Sequence, residues 1–134
     1  LETLLSDISK VKNIEISFSY SSYREEESEV GLRLVIYRIV QEQINNILKH
    51  ASASKVEIAL KKEVNCLVIN INDNGKGFDT SAKRNGIGLK NIKNRAELYS
   101  GVVQIISAPG EGCKMKIIFI EQLIEKVIVN DEDD

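Results

Sequence analysis

The stretch CLVININDNGKGF, residues 66–78, decides how this chain is read. An apolar, strand-like run stops at an acid, and Gly75-Lys76-Gly77 follows at once. Period-two alternation puts Leu67, Ile69, Ile71 and Asp73 on one face and Val68, Asn70 and Asn72 on the other. Asp73 therefore continues the more apolar face, where a carboxylate is costly unless a donor meets it. Two kinds of donor suit. One is the amino group of an adenine ring; the other is the Gly75-Lys76-Gly77 backbone in an Asx-type turn. The glycines are equally open, since bare backbone admits a flat ring and also permits positive φ.

Working outward, KVEIALKKE (55–63) alternates Val56, Ile58 and Leu60 with mostly charged residues, and a turn at residues 63–65 pairs it with CLVININD as a hairpin. Upstream, residues 1–13 place Leu1, Leu4, Leu5 and Ile8 at helical spacing, and IEISFSYS (14–21) alternates as a strand. Residues 22–31, SYREEESEVG, read as a loop. Residues 32–51 run without Gly or Pro as one long helix. Downstream, DTSAKRNGIG (79–88) is a loop leading into the helix LKNIKNRAELYS (89–100), with Gly101 as its C′ residue. VVQIISA (102–108) and CKMKIIFI (113–120) are strands about the turn PGEG, where Pro109 and Gly110 suit a tight reversal. The tail, 121–134, is expected to be a strand extension or short helix followed by disorder. This order predicts an α+β fold, a mixed sheet with helices on one face.

A length of 134 residues suits a single domain over the whole chain, residues 1–29 forming an N-terminal helix, strand and loop. A net charge of −2 gives no reason to expect nucleic-acid or membrane binding. Cys66 and Cys113 lie in strands without a CxxC or Cys/His cluster and read as two buried thiols in a reducing compartment. No run reaches the roughly 18 apolar residues that a membrane span needs. The first residue is Leu and no basic leader follows, which suits a fragment of a longer protein.

The long helix carries a polar stripe. With Glu42 at zero and about 100° per residue, Arg38, Asn45, Asn46 and Lys49 fall between roughly −60° and 40°, whereas Ile36, Val40, Ile44, Ile47 and Ala51 lie between about 120° and 200°. Every amphipathic helix has a solvated side. Asn45 and Asn46, however, are poor helix formers set mid-helix at a cost of a few tenths of a kcal/mol each. Glu42 and Asn46, one turn apart, present two oxygens suited to a hard cation such as Mg²⁺, with Lys49 beyond them for phosphate. His50 reads as a packing or capping residue near the helix end.

Gly86 and Gly88 precede a helix whose N-terminal N–H groups and positive dipole end suit phosphate. Lys90 and Asn91 follow on its first turn, as a phosphate-side group or as a solvated face. GIGLKN lacks the third glycine of a dinucleotide fingerprint, and no GxxxxGK[ST] occurs.

Taken in order and spacing, RIVQEQINNILKHA (38–51), NDNGKGFD (72–79) and GIGLKNIKNRAE (86–97) resemble the N-box, first glycine box and second glycine box of the histidine-kinase branch of the GHKL ATPases. The likeness spans roughly residues 32–120. The wording is similar to sensor kinases of the nitrate-sensor and DesK-like class, which pair with NarL-type response regulators. The resemblance implies a two-layer Bergerat sandwich with ATP between the long helix and the second glycine loop. It implies that Asp73 accepts from the adenine amino group, that Gly75, Gly77 and Phe78 border the base, and that Asn46 ligates Mg²⁺ beside Asn45. Glu42 matches a position of metal-shell or proton-handling role, and Lys49 a phosphate contact. Gly86, Gly88 and Leu89 would wrap the triphosphate, with Lys90 and Asn91 as neighbours.

The family's phosphoacceptor histidine stands on a separate dimerising hairpin, whereas the one histidine here is His50 in the N-box. The resemblance thus implies a protein-histidine kinase represented by its catalytic domain. This would be a monomeric cytoplasmic fragment of a homodimeric, membrane-anchored sensor, acting on the hairpin of the same kinase and then on a response regulator. Residues 79–85 are expected to be mobile without nucleotide and ordered with it. Alternatives within the fold are an anti-sigma-factor-type serine kinase or another GHKL ATPase; outside catalysis, a degenerate interaction module.

Overall fold

The computed structural model describes residues 2–12, 14–22, 29–79 and 87–133. Its elements are α1 (Glu2–Lys12), β1 (Glu15–Ser21), α2 (Val30–Asn46) extended by a π-turn (Ile47–Ala51), β2 (Lys55–Lys62), β3 (Cys66–Asp73), α3 (Ile87–Glu97), β4 (Val102–Ser107), β5 (Cys113–Ile120) and α4 (Glu121–Asp133). The sheet order is β1-β2-β3-β5-β4. Only β1 and β2 run parallel; the other three pairings are antiparallel. The predicted α+β fold with a mixed sheet is what the chain adopts, and the sheet is mainly antiparallel.

The period-two pattern converts directly into a core. Register aligns Ile58 with Ile71 and Ile71 with Met115, and one strand step along it aligns Leu60, Ile69 and Ile117. All six are buried beside Ile36, Ile39, Val40 and Ile44 of α2 and Ile92 and Ala96 of α3. Side chains of this size contribute about 1.5–3 kcal/mol each when taken out of water, so this layer holds the sheet against the helices.

The long helix starts two residues earlier than its pattern predicts, because Glu29 caps it. Its Oε1 accepts from Gly31 N–H at 2.9 Å and its Oε2 from Leu32 N–H at 3.0 Å. Tyr99, just past α3, donates its hydroxyl to the same Oε2 at 2.7 Å. The Gly31 hydrogen bond, then that of Tyr99, holds the Glu29 carboxyl below the ordinary carboxylate range. A Cβ at residue 31 would run into the Tyr99 hydroxyl, so glycine is what lets the clasp close.

Three expectations are corrected. The α3 C-terminus ends in a Schellman arrangement in which Ser100, at φ 56°, takes the left-handed position predicted for Gly101. Gly101 is one residue further on, donating to Ala96 O at 2.8 Å and lying where a Cβ would press on the Phe119 ring. The tail is helical through Asp133, across the acidic cluster read as disordered. Ile124, Val127 and Ile128 recur at helical spacing and pack on the core, which outweighs unfavourable acids at a helix C-terminus. Of the two cysteines, both free, only Cys113 is buried. Cys66 sits on the opposite face, paired in register with exposed Ile120.

Candidate nucleotide site

Asp73 ends β3 half-buried, in register with Val56 on one side and Cys113 on the other, both buried. Burial raises its pKa, opposed by the Gly75 N–H, which donates to Oδ1 at 2.8 Å. The Asx-type turn is therefore real, and it uses one oxygen. Oδ2 takes no hydrogen bond among the described residues. Beside it, desolvation followed by the Asp73 charge pushes the Cys113 thiol up to about 11, which keeps it a neutral S–H.

Past Asp73 the chain is fastened on two sides. Lys76 N–H donates to Ala51 O, at the end of the π-turn, at 2.7 Å, and Lys76 O accepts from Gly110 N–H in the β4–β5 turn. Phe78 N–H donates to Ser107 Oγ at 3.0 Å, and that hydroxyl donates to Gly112 O at 2.6 Å. The missing side chains of both glycines face protein. A Cβ at Gly75 would strike the Ala51 backbone, whereas Gly77, at φ 65°, faces the Ala108 and Gly112 carbonyls. Gly77 takes positive φ, and the missing side chain of Gly75 makes way for the helix end.

Along α2, the buried arc is wider than the sheet-facing pattern predicts, since Val35, Ile39 and Gln43 are buried as well. The reason is α3, which packs against α2 and covers a second flank. Glu42 and Asn46 lie at the margin of that flank and are half-buried; Asn45 and Lys49 are exposed. His50 is exposed rather than packed, because the wider i→i+5 turn from Ile47 to Ala51 breaks the count of about 100° per residue. The Tyr99–Glu29 clasp puts the C-terminal end of α3 at the start of α2, and the two helices pack against each other. On the opening turn of α3, Leu89 and Asn91 are half-buried and Lys90 is exposed. Gly88 lies in the helix, and Gly86, like most of the segment 79–85 expected to be mobile, lies outside the described residues.

Residues 31–123 match the family described as histidine kinase-, DNA gyrase B- and HSP90-like ATPases, over more than half of the chain. The chain belongs to this ATPase family. Among curated relatives, it is 34% identical over 105 residues to the sensor protein VraS of Staphylococcus haemolyticus, covering 78% of this chain and 28% of that protein. It is 32% identical over 118 residues to the sensor histidine kinase LiaS of Bacillus subtilis, covering 87% of this chain and 32% of that protein. It thus spans about three-tenths of the length of these relatives. Among solved structures, the histidine kinase domain of the Erythrobacter litoralis EL346 blue-light activated kinase superposes at TM-score 0.75 and 16% identity, covering 96% of this chain and 62% of that one. The Acinetobacter baumannii histidine kinase AdeS gives 0.69 at 16% identity, covering 89% and 60%. At such identities the two structures bear on the fold alone.

The ATPase domain also relies on residues that pattern reading passed over. Asn74 Oδ1 accepts from the Ser54 and Lys55 N–H groups, both at 3.0 Å, and its Nδ2 donates to Ser54 Oγ at 3.0 Å. It ties the end of β3 to the start of β2. An Asn between a strand end and a glycine was the available signal, though its partners lie 19 and 20 residues away. Gln43 and Ser107 left no trace in motif or spacing.

Proposed function

We propose that this chain is the ATP-binding catalytic domain of a sensor histidine kinase of the class that pairs with NarL-type response regulators. The observation that carries the reading is Asp73: a half-buried carboxylate with one oxygen held by its own turn and the other without a partner among the described residues. A donor such as the adenine amino group would relieve that cost. Phe78 and the fastened glycine loop would border the base, and Asn45, Lys49, Gly86, Gly88, Leu89, Lys90 and Asn91 would face the phosphates.

The donor set fits Mg²⁺. Among the described residues no group of three His, Cys, Asp or Glu side chains could cage a metal. Mg²⁺ instead favours one or two protein oxygens together with water and substrate phosphates. Asn46 Oδ1 and the Glu42 carboxylate would supply these, and the ion would neutralise charge on the transferring phosphoryl group. Phosphoryl transfer breaks the bond between the γ-phosphorus and the bridging oxygen of ADP and forms one to an imidazole nitrogen of the dimerisation hairpin. The response regulator then takes the group.

We place the domain on the cytoplasmic side of a membrane-anchored, homodimeric sensor, the fragment itself being monomeric. No described helix is long and apolar enough to cross a membrane. Calorimetric titration with a non-hydrolysable ATP analogue, with and without Mg²⁺, tests the reading. Saturable binding that is lost in Asp73→Asn supports it; parent-like binding by that variant makes Asp73 a turn residue only.

A further inference from the structure

We infer that Gln43 is a positioning residue that selects the metal-competent face of the Asn46 amide; the inference rests on the Mg²⁺–ATP reading above. Gln43 is 3% exposed and is the one buried polar side chain among the described residues. It occupies a slot between Ile39 and Ile36 on the helix wheel, both buried, where a Leu or Met would pack without any polar cost. Its Oε1 accepts a hydrogen bond from Asn46 Nδ2 at 3.3 Å, one helical turn on.

That bond has a directional consequence. An Asn side chain ends in a planar amide whose last torsion is broad and roughly two-fold, so either oxygen or nitrogen can be presented outward. Only the oxygen ligates a cation. With Nδ2 held by Gln43, Oδ1 is left as the uncommitted atom of the amide: it takes no hydrogen bond among the described residues. The opposite pairing, Gln43 Nε2 to Asn46 Oδ1, would occupy the ligand oxygen. A buried amide three residues before a metal-binding Asn is thus an outer-shell support, a role whose loss typically weakens metal affinity about 10–100-fold.

The test begins with the parent domain, free of metal and nucleotide. In ¹⁵N-resolved spectra the Asn46 side-chain NH₂ protons should exchange with water more slowly than those of exposed Asn45; equal, fast exchange overturns the inference. The second arm titrates adenosine and an ATP analogue across a Mg²⁺ series into the parent, Gln43→Met and Gln43→Glu. Met keeps the shape without the acceptor, and Glu keeps the acceptor. Gln43→Met should bind adenosine unchanged and lose about tenfold in the Mg²⁺-dependent part of ATP-analogue affinity, and Gln43→Glu should restore it. Parent-like Mg²⁺ dependence in Gln43→Met overturns the inference alone, as does equal loss for adenosine and the analogue. A parent without any Mg²⁺ dependence overturns the metal reading and the inference with it.

Discussion

The two ends of the proposed nucleotide site are built by opposite means. The base end is assembled from parts far apart in sequence: Asp73 between Val56 and Cys113, Lys76 bridging Ala51 and Gly110, Phe78 on Ser107. The proposed metal end is coded within one helix and its π-turn, where Glu42, Gln43, Asn46 and Lys49 fall within about two turns. The first is rigid because backbone groups on three elements satisfy one another, the second because a single side-chain amide is held by its neighbour. Damage should follow that division. Changes at the base end alter affinity or folding at a distance, and changes on the helix alter only what Mg²⁺ adds.

The largest expected effect is at Asp73. In Asp73→Asn the Gly75 N–H still claims the amide oxygen, so the NH₂ group faces the adenine amino group, donor against donor. ATP affinity should fall about 100-fold, the loss of a charge-assisted hydrogen bond and more. Stability should move the other way. Burial raises the Asp73 pKa, so ionising it opposes folding above its folded-state pKa, and this cost vanishes below the ordinary carboxylate value of 3.8. The variant should therefore melt higher than the parent near pH 7–8, the gain disappearing as pH falls through the Asp73 titration; a lower melting temperature at neutral pH would contradict it.

Next comes Gly75→Ala, whose methyl would meet the Ala51 backbone rather than a ligand. It should cost about 1–3 kcal/mol of stability through overpacking, seen in urea unfolding. A parent-like midpoint combined with lost ATP binding would mean that the glycine serves the base instead. Asn46→Ala should weaken the ATP analogue about tenfold in Mg²⁺, and adenosine not at all, on calorimetry. Equal loss of both would erase the distinction between the two ends.

The smallest effect is remote from both. Tyr99→Phe removes one donor to Glu29 and should cost about 1 kcal/mol at neutral pH. The folded-state pKa of Glu29 is depressed, so its stabilisation is present above the ordinary carboxylate range and is lost as pH falls through the lowered value. The difference between variant and parent should accordingly narrow in acid, as thermal melts across a pH series would show.

Up to the end of β5, element types and order were legible because they depend on local periodicity: two in KVEIALKKE and CLVININD, 3.6 in residues 32–51. So were the acid at the strand end and the polar stripe on α2. Their partners were not, because each is chosen by chain that arrives from elsewhere. That α3 covers a second flank of α2 half-buries Asn46 and buries Gln43, and no wheel drawn on one helix contains α3. That Gly75 yields to Ala51, and that Asn74 holds Ser54 and Lys55, depends on how the end of α2 meets the end of β3. The sequence by itself determined which residues could face a nucleotide; the tertiary structure decided which atoms remain available to do so, since a donor or acceptor is free only once every neighbour has made its own claim.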